Sequence, residues 1–310
     1  MPRPVRSLSA VLLLAMSPVA ASASSGADYY SGLADQETRL ATVGYRLTTA
    51  GARWCPQVVP QPGWILGDLR QFERGDRAAA RRTYGDGDEA YVAAIAPGSP
   101  ADRAGLTRGT RIAAINGDPI AAASTGSTIR IDTAIAKLYT LDPAAEWTVT
   151  DAAGRLYVMA PASGCASAFR VELDGVQAAA NGILVRMTLK LARSIVDDDE
   201  LAAVVAHELA HNILRHREYL AGDRSAARVR ATELEADRLA VWLMADAGYD
   251  PAAAIRFWNR HKRPLMRAAT HPPRSERIAA IESEIAAMRA SRTARPAARP
   301  PLIDALPPLE

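Results

Sequence analysis

Residues 197–214 read DDDELAAVVAHELAHNIL and place two histidines, His207 and His211, four positions apart with Glu208 between them. Positions i and i+4 of an α-helix lie one turn apart on one face. Both imidazoles therefore point the same way and can grip one zinc ion, while Glu208 stays free to move a proton. A catalytic zinc needs three protein ligands and an open fourth position for water. The missing ligand must come from another element. Residues 231–244, ATELEADRLAVWLM, carry Glu233 and Asp237 at i and i+4, beside the small Ala236 and Ala240, which let two helices pack closely. A carboxylate of that face is placed to complete the set. Glu235 falls on a different face, with exposed residues, and His216 and His261 read as solvated.

The elements that must hold these side chains are legible in outline. Asp197 caps the histidine helix and Glu200 stands at capping-box spacing. Leu201, Val204, Val205 and Leu209 form its apolar face. Upstream, residues 28–53 space Tyr30, Leu33, Leu40, Val43 and Leu47 as an amphipathic helix, which the prolines of CPQVVPQPG end. From 63 to 162 short alternating runs and glycine turns predict strands, with one helix at 127–140. After 165 come strand candidates in FRVEL and ILVRMTL, then helices at about 197–218, 224–247, 251–261 and 275–290. The fold class is α+β: a mainly helical domain with a small sheet, interrupted by a β-rich insert.

The chain has 310 residues, 49% hydrophobic but only 5% aromatic, so alanine, leucine, valine and isoleucine must fill the core. Net charge is +3, and the excess sits at the two ends. With no basic stripe and no interleaved aromatics, a nucleic-acid partner is not expected. Residues 1–23 have the layout of a secretory leader: Arg3 and Arg6, a short apolar run at 10–16, then Ala21-Ser22-Ala23 before a cleavage point. The run is too short for a retained anchor and Pro18 breaks it. No other segment approaches a membrane span, so an exported, periplasmic protein is expected. Cys55 and Cys165, the only cysteines, flank the β-rich insert, and a disulfide between them would tie its ends. Residues 291–310, rich in proline and arginine, read as a disordered tail.

Two resemblances add to this. VAAIAPGSPADRAGLTRGTRIAAINGDPI, residues 92–120, resembles a bacterial PDZ domain, which implies a PDZ-like unit over 63–162. Such domains add an extended peptide to a sheet edge. The groove would be lined by Trp64, Ile65, Leu66 and Gly67, and the resemblance there is loose. HELAHN followed by ELEAD, with THPPRSERI at 270–278, resembles the gluzincin peptidases of the HtpX and CAAX-prenyl-protease type. A soluble exported catalytic domain is similar to the Oma1-like and BepA-like branch. It covers 28–55, the first helix of the peptidase domain, and roughly 165–290.

This resemblance implies one Zn2+ per chain on His207, His211 and Glu233, with Glu208 as catalytic base. Asp237 would hydrogen-bond a ligand histidine. His271 or Arg277 would stabilise the oxyanion, and His271 could instead become a fourth ligand. It implies an endopeptidase acting on protein or peptide substrates, such as unfolded or misassembled envelope proteins, with the PDZ unit binding substrate or partner. The alternative is a PDZ-bearing binding or chaperone-like module with a little-used zinc site. One departure stands out. Where that family has Asn-Ala and a glycine around the edge strand, this chain has Gln177 and Thr188, and the strand is slightly short.

Overall fold

The computed structural model describes residues 20–120, 129–175, 177–261 and 271–306, so most of the expected leader lies outside the described residues. In chain order the elements are α1 (Ala20–Gly51), β1 (Val58–Pro60), β2 (Trp64–Gly67), α2 (Arg77–Tyr84), β3 (Ala90–Ile95), α3 (Pro100–Arg103), β4 (Arg111–Ile115) and β5 (Asp118–Pro119). They continue with α4 (Ile129–Leu138), β6 (Trp147–Asp151), β7 (Leu156–Met159), β8 (Ser163–Cys165), β9 (Ala168–Glu172), β10 (Ala178–Ala180) and β11 (Leu184–Thr188). The rest is helical: α5 (Leu189–Ser194), α6 (Asp198–Ile213), α7 (His216–Tyr219), α8 (Ala226–Asp246), α9 (Ala253–Arg260), α10 (Arg274–Ala294) and α11 (Pro301–Asp304). The molecule is α+β, as its patterning implies.

Helix α1 is the spine. Tyr30, Leu33, Leu40, Val43 and Leu47 are all buried in one cluster that also takes in α6, α8 and β9. Gly44 lets α1 approach β9 closely, because a Cβ there would lie 2.5 Å from the Phe169 ring. Strand β9 pairs in parallel with β11, and β11 pairs antiparallel with β10, which forms the edge.

The insert is an antiparallel sheet in the order β2-β3-β4-β6-β7, with β5 added to β4. Side chains alternate across a strand. Accordingly Val92 of β3 joins one core with Ile112, Val149 and the Ile131 and Ile135 of α4, while Tyr91 and Ala93 face the other way into the cluster around α1. The insert therefore shares its core with the helical body. A disulfide joins Cys55 to Cys165, and β1 pairs with β8 beside it, so the two ends of the insert are stitched together. In the chain-entropy view, closing a loop this long stabilises by about 4–5 kcal/mol.

The tail departs from expectation. Helix α10 runs to Ala294, Arg292 pairs with Asp246, and Ala298 and Ile303 of the following segment are buried against the main core. Composition missed this because two buried apolar residues and one part-buried ion pair anchor a segment that is otherwise polar.

The joint between α1 and the insert holds one buried acid. Glu37 is 2% exposed and accepts a 2.8 Å hydrogen bond from the Tyr84 hydroxyl of α2. Tyr91 of β3 and Arg108 also face this pocket. Burial pushes the Glu37 carboxyl from its ordinary 4.5 up to about 7, although the Tyr84 hydrogen bond and Arg108 oppose the shift. The folded state thus holds this proton more tightly than the unfolded chain. Its stabilisation is complete below pH 4.5 and is lost as pH rises towards 7. Glu37→Gln, which keeps an acceptor for Tyr84, should remove about 3 kcal/mol of that loss. Urea melts of both proteins at pH 4.5 and 7.5 measure it, and an unchanged difference between the two pH values would contradict the assignment.

Candidate metal centre

Helix α6 starts as its sequence requires: the Asp197 side chain accepts from the Asp199 N–H, and Asp198, Asp199 and Glu200 occupy the first turn. Acids there suit the positive end of the helix. Helix α8 packs on α6 through Ala236 and Ala240, and this brings Glu233 and Asp237 against the two histidines. His207 Nε2 and His211 Nε2 are 3.2 Å apart. Glu233 Oε2 is 3.4 Å from His207 Nε2, and Oε1 is 3.6 Å from His211 Nε2. Ligands held about 2.0–2.1 Å from a tetrahedral zinc are themselves about 3.3 Å apart. The three side chains thus stand at the spacing of zinc ligands, and they are the metal-capable group found among the described residues. The Glu233 Oε2 atom is buried without a hydrogen bond, with His207 Nε2 at 3.4 Å and Arg277 Nη1 at 3.6 Å. Burial opposes ionisation of Glu233, but His207, His211 and Arg277 hold its carboxyl far below the usual range.

Each histidine is held from behind. Asp237 Oδ1 lies 3.0 Å from His207 Nδ1, so the Nδ1–H donates outward and Nε2 is the ring nitrogen turned towards Glu233 and His211. Arg277 grips Asp237 with both ends, Nε to Oδ2 at 2.6 Å and Nη2 to Oδ1 at 2.5 Å, and its guanidinium lies 4.0 Å over the Trp258 ring. Burial and Arg277 oppose a proton on His207, yet the Asp237 and Glu233 carboxylates beside its ring hold its pKa up to about 9. Burial, then His207, pushes His211 well below its ordinary value.

His216 corrects the sequence reading. It is buried, with Nδ1 2.8 Å from His211 Nδ1 and Nε2 3.1 Å from Glu235 Oε2. Protons placed on His211 Nδ1 and His216 Nε2 satisfy the whole row and again leave His211 Nε2 bare. Helical spacing could not reveal this, since five residues from His211 is a different face of a continuous helix. The chain instead turns at Arg215, in left-handed conformation with φ 54°, and folds His216 back under His211. His271 sits with Nε2 3.6 Å from Glu233 Oε1, outside the three-ligand group.

Glu208 is 7% exposed, and burial, helped by the charge of Glu233, pushes its carboxyl up to about 7. A base is most effective with a pKa near the working pH. Beside it runs the edge strand. Asn181 N–H donates to Leu184 and Thr188 N–H to Gln177, so the antiparallel ladder leaves the N–H and C=O groups of Ala178 and Ala180 facing outward along the cleft. Gln177 and Thr188, the two departures from the resemblance, are partners in this ladder, and Thr188 also caps α5. Asn212 of α6 fixes the hairpin over the site: its Oδ1 accepts from Gly182 N–H at 2.7 Å and its Nδ2 donates to Ser167 at 3.0 Å.

The groove residues of the insert divide. Trp64 and Leu66 face a narrow slot of about 40 Å³ beside α4, walled on its other side by β1 and β9. Ile65 points into the α1 core, and Gly67 backs onto the Tyr91 ring.

Two histidines and a carboxylate at metal-ligand spacing on paired helices, behind an edge strand, are an arrangement a metallopeptidase domain can use. Residues 174–229 and 218–285 match the family model for peptidase family M48, and residues 91–136 match that of a PDZ domain. The chain thus carries an M48 domain and a PDZ domain. Among curated proteins, the mitochondrial metalloendopeptidase OMA1 of Schizosaccharomyces pombe is 31% identical over 27% of this chain and 36% of the relative. The chain spans about a third of that relative's length.

The row behind His211 makes a direct prediction. His216→Ala should weaken zinc binding about 10–100-fold, measured by competition with a chromophoric chelator, with the fold checked by circular dichroism. Unchanged affinity in a folded variant would show that His216 does not orient His211.

Proposed function

We propose that this protein is an exported zinc-dependent endopeptidase. The observation that carries the reading is the triangle of His207, His211 and Glu233 at zinc-ligand spacing, with Glu208 at its side in an open cleft. The donor set, two imidazoles and one carboxylate with a buried oxygen that makes no hydrogen bond, fits one zinc per chain. When bound, zinc supplies a water acidic near neutral pH and polarises the substrate carbonyl.

The protein's own groups divide the remaining work. Ala178 and Ala180 bind a substrate strand by its backbone. The Glu208 carboxylate takes the proton of the attacking water and passes it to the departing amine. Asp237 holds the proton on His207 Nδ1, and His216 with Glu235 holds His211. His271, half-buried on the cleft wall beside Glu233, is the side chain placed to donate to the developing oxyanion. Arg277 grips Asp237 and also lies 3.6 Å from Glu233 Oε2 and 3.1 Å from His207 Nδ1, so it acts by holding these groups in place.

Substrates are proteins in extended or unfolded form, since a chain must lie along β10 to reach Glu208. Unfolded or misassembled envelope proteins fit this requirement. Periplasmic export rests on the leader pattern and on the Cys55–Cys165 disulfide. No helix among the described residues is long and apolar enough to cross a membrane. The PDZ unit, sharing its core with α1, serves as a fixed shoulder to the body, with Trp64 and Leu66 offering a slot for a substrate or partner side chain.

Glu208→Gln should keep its zinc and lose about 10²–10⁴-fold of the cleavage of unfolded casein. Zinc bound by both proteins with equal, negligible cleavage would instead favour a PDZ-bearing binding module.

A further inference from the structure

The cleft has two lobes that meet at Glu208, and their chemistry differs. The smaller, about 50 Å³, opens towards Gln177 and is walled by Leu191, Val204, Phe257 and Ile281. The larger, about 380 Å³, follows Ala178–Ala180 to Gly182 and carries Arg217 and Arg224. Apart from Glu208 and Glu233, no acid among the described residues lines it. Arg217 is fixed at the hairpin tip by its 2.7 Å bond to the Asn181 carbonyl. Arg224 is exposed and has no ion-pair partner among the described residues. Beyond the tip the groove continues past Arg215, where Glu218 is the one acidic lining group among the described residues.

Strand direction turns this asymmetry into a sequence preference. A chain paired antiparallel to β10 runs from Gly182 towards Gln177. Its residues ahead of the scissile bond therefore pass Arg217 and Arg224, and the residue after that bond enters the apolar lobe. From Ala178 to the hairpin tip is about 13 Å of strand, the length of four residues. The apolar lobe is well below the ~150 Å³ that accommodates a benzene ring.

We propose that the cleft selects an acidic residue two to four positions N-terminal to the scissile bond, through Arg217 and Arg224, and a small aliphatic residue immediately C-terminal to it. This rests on the endopeptidase reading and names its substrate class: extended segments with an acidic half followed by an aliphatic one.

The test uses the zinc-loaded full chain and quenched fluorescent peptides with valine after the scissile bond and Glu, Gln or Lys three positions before it. At low salt kcat/KM should be about tenfold higher for the Glu than for the Lys peptide, as weak exposed ion pairs allow. The ratio should fall towards one in about 0.5 M salt and invert in the double variant Arg217→Glu, Arg224→Glu. Phenylalanine in place of valine should slow all three peptides. If loss of the Asn181 contact unfolds the double variant, Arg224→Glu alone must still lower the ratio. Fluorescence anisotropy with zinc-loaded Glu208→Gln reads binding of the same peptides without turnover. Equal cleavage of Glu and Lys peptides overturns the proposal and leaves the endopeptidase reading standing. Preferential binding of the Glu peptide with no cleavage of any overturns the endopeptidase reading and upholds the arginine subsite. Equal binding with no cleavage overturns both.

Discussion

The structure is organised around a buried carboxylate, Glu233, pressed against two imidazoles. An ionised carboxylate taken out of water costs several kcal/mol unless cations and donors surround it. Here His207, His211 and Arg277 do so, and one oxygen is still left without a hydrogen bond. A fold that simply needed a filled core would place an alanine there. That oxygen, and the ring nitrogens facing it, make sense as the walls of a cation site. The rest follows from keeping them apart at a fixed spacing. Helices α6 and α8 must pack closely, so alanines line their seam. Asp237 and Arg277 must lock one imidazole, and His216 with Glu235 must lock the other.

The same demand for fixed geometry runs through the larger architecture. The edge strand is useful only if it stays in register with Glu208, and Asn212 ties the hairpin to the metal helix directly. Strand β9, which carries β11 and through it β10, is seated on α1 at Gly44. Helix α1 in turn is clamped between the PDZ sheet and the helical body, with the disulfide closing the insert at its base. The PDZ unit thereby supports the element that positions the cleft, and this sharing of one core argues for a rigid body over a tethered module.

Much of this was legible in the sequence because it rests on local periodicity. The i, i+4 spacings of His207/His211 and Glu233/Asp237 define helix faces, and small residues beside the second pair announce close packing. The apolar stripe of α1 and the cysteines flanking the insert were equally readable. What escaped depends on chain reversals and on sparse contacts. His216 reaches His211 only because Arg215 turns the chain. Asn212 matters only because the Gly182 hairpin folds over it. The tail after 290 looks polar in composition, yet Arg292, Ala298 and Ile303 suffice to seat it. For Arg277, the motif marked its importance, while its commitment to Asp237 became clear only in three dimensions.

The central claim is that three protein ligands hold the metal and leave a place for water. Zinc-edge X-ray absorption on the purified, zinc-loaded chain tests it most directly. The account predicts one four-coordinate zinc per chain, with two imidazole nitrogens and two oxygens, from Glu233 and water, at about 2.0–2.1 Å. A third imidazole in place of the water, which would be His271, or a chain that binds no zinc would contradict it.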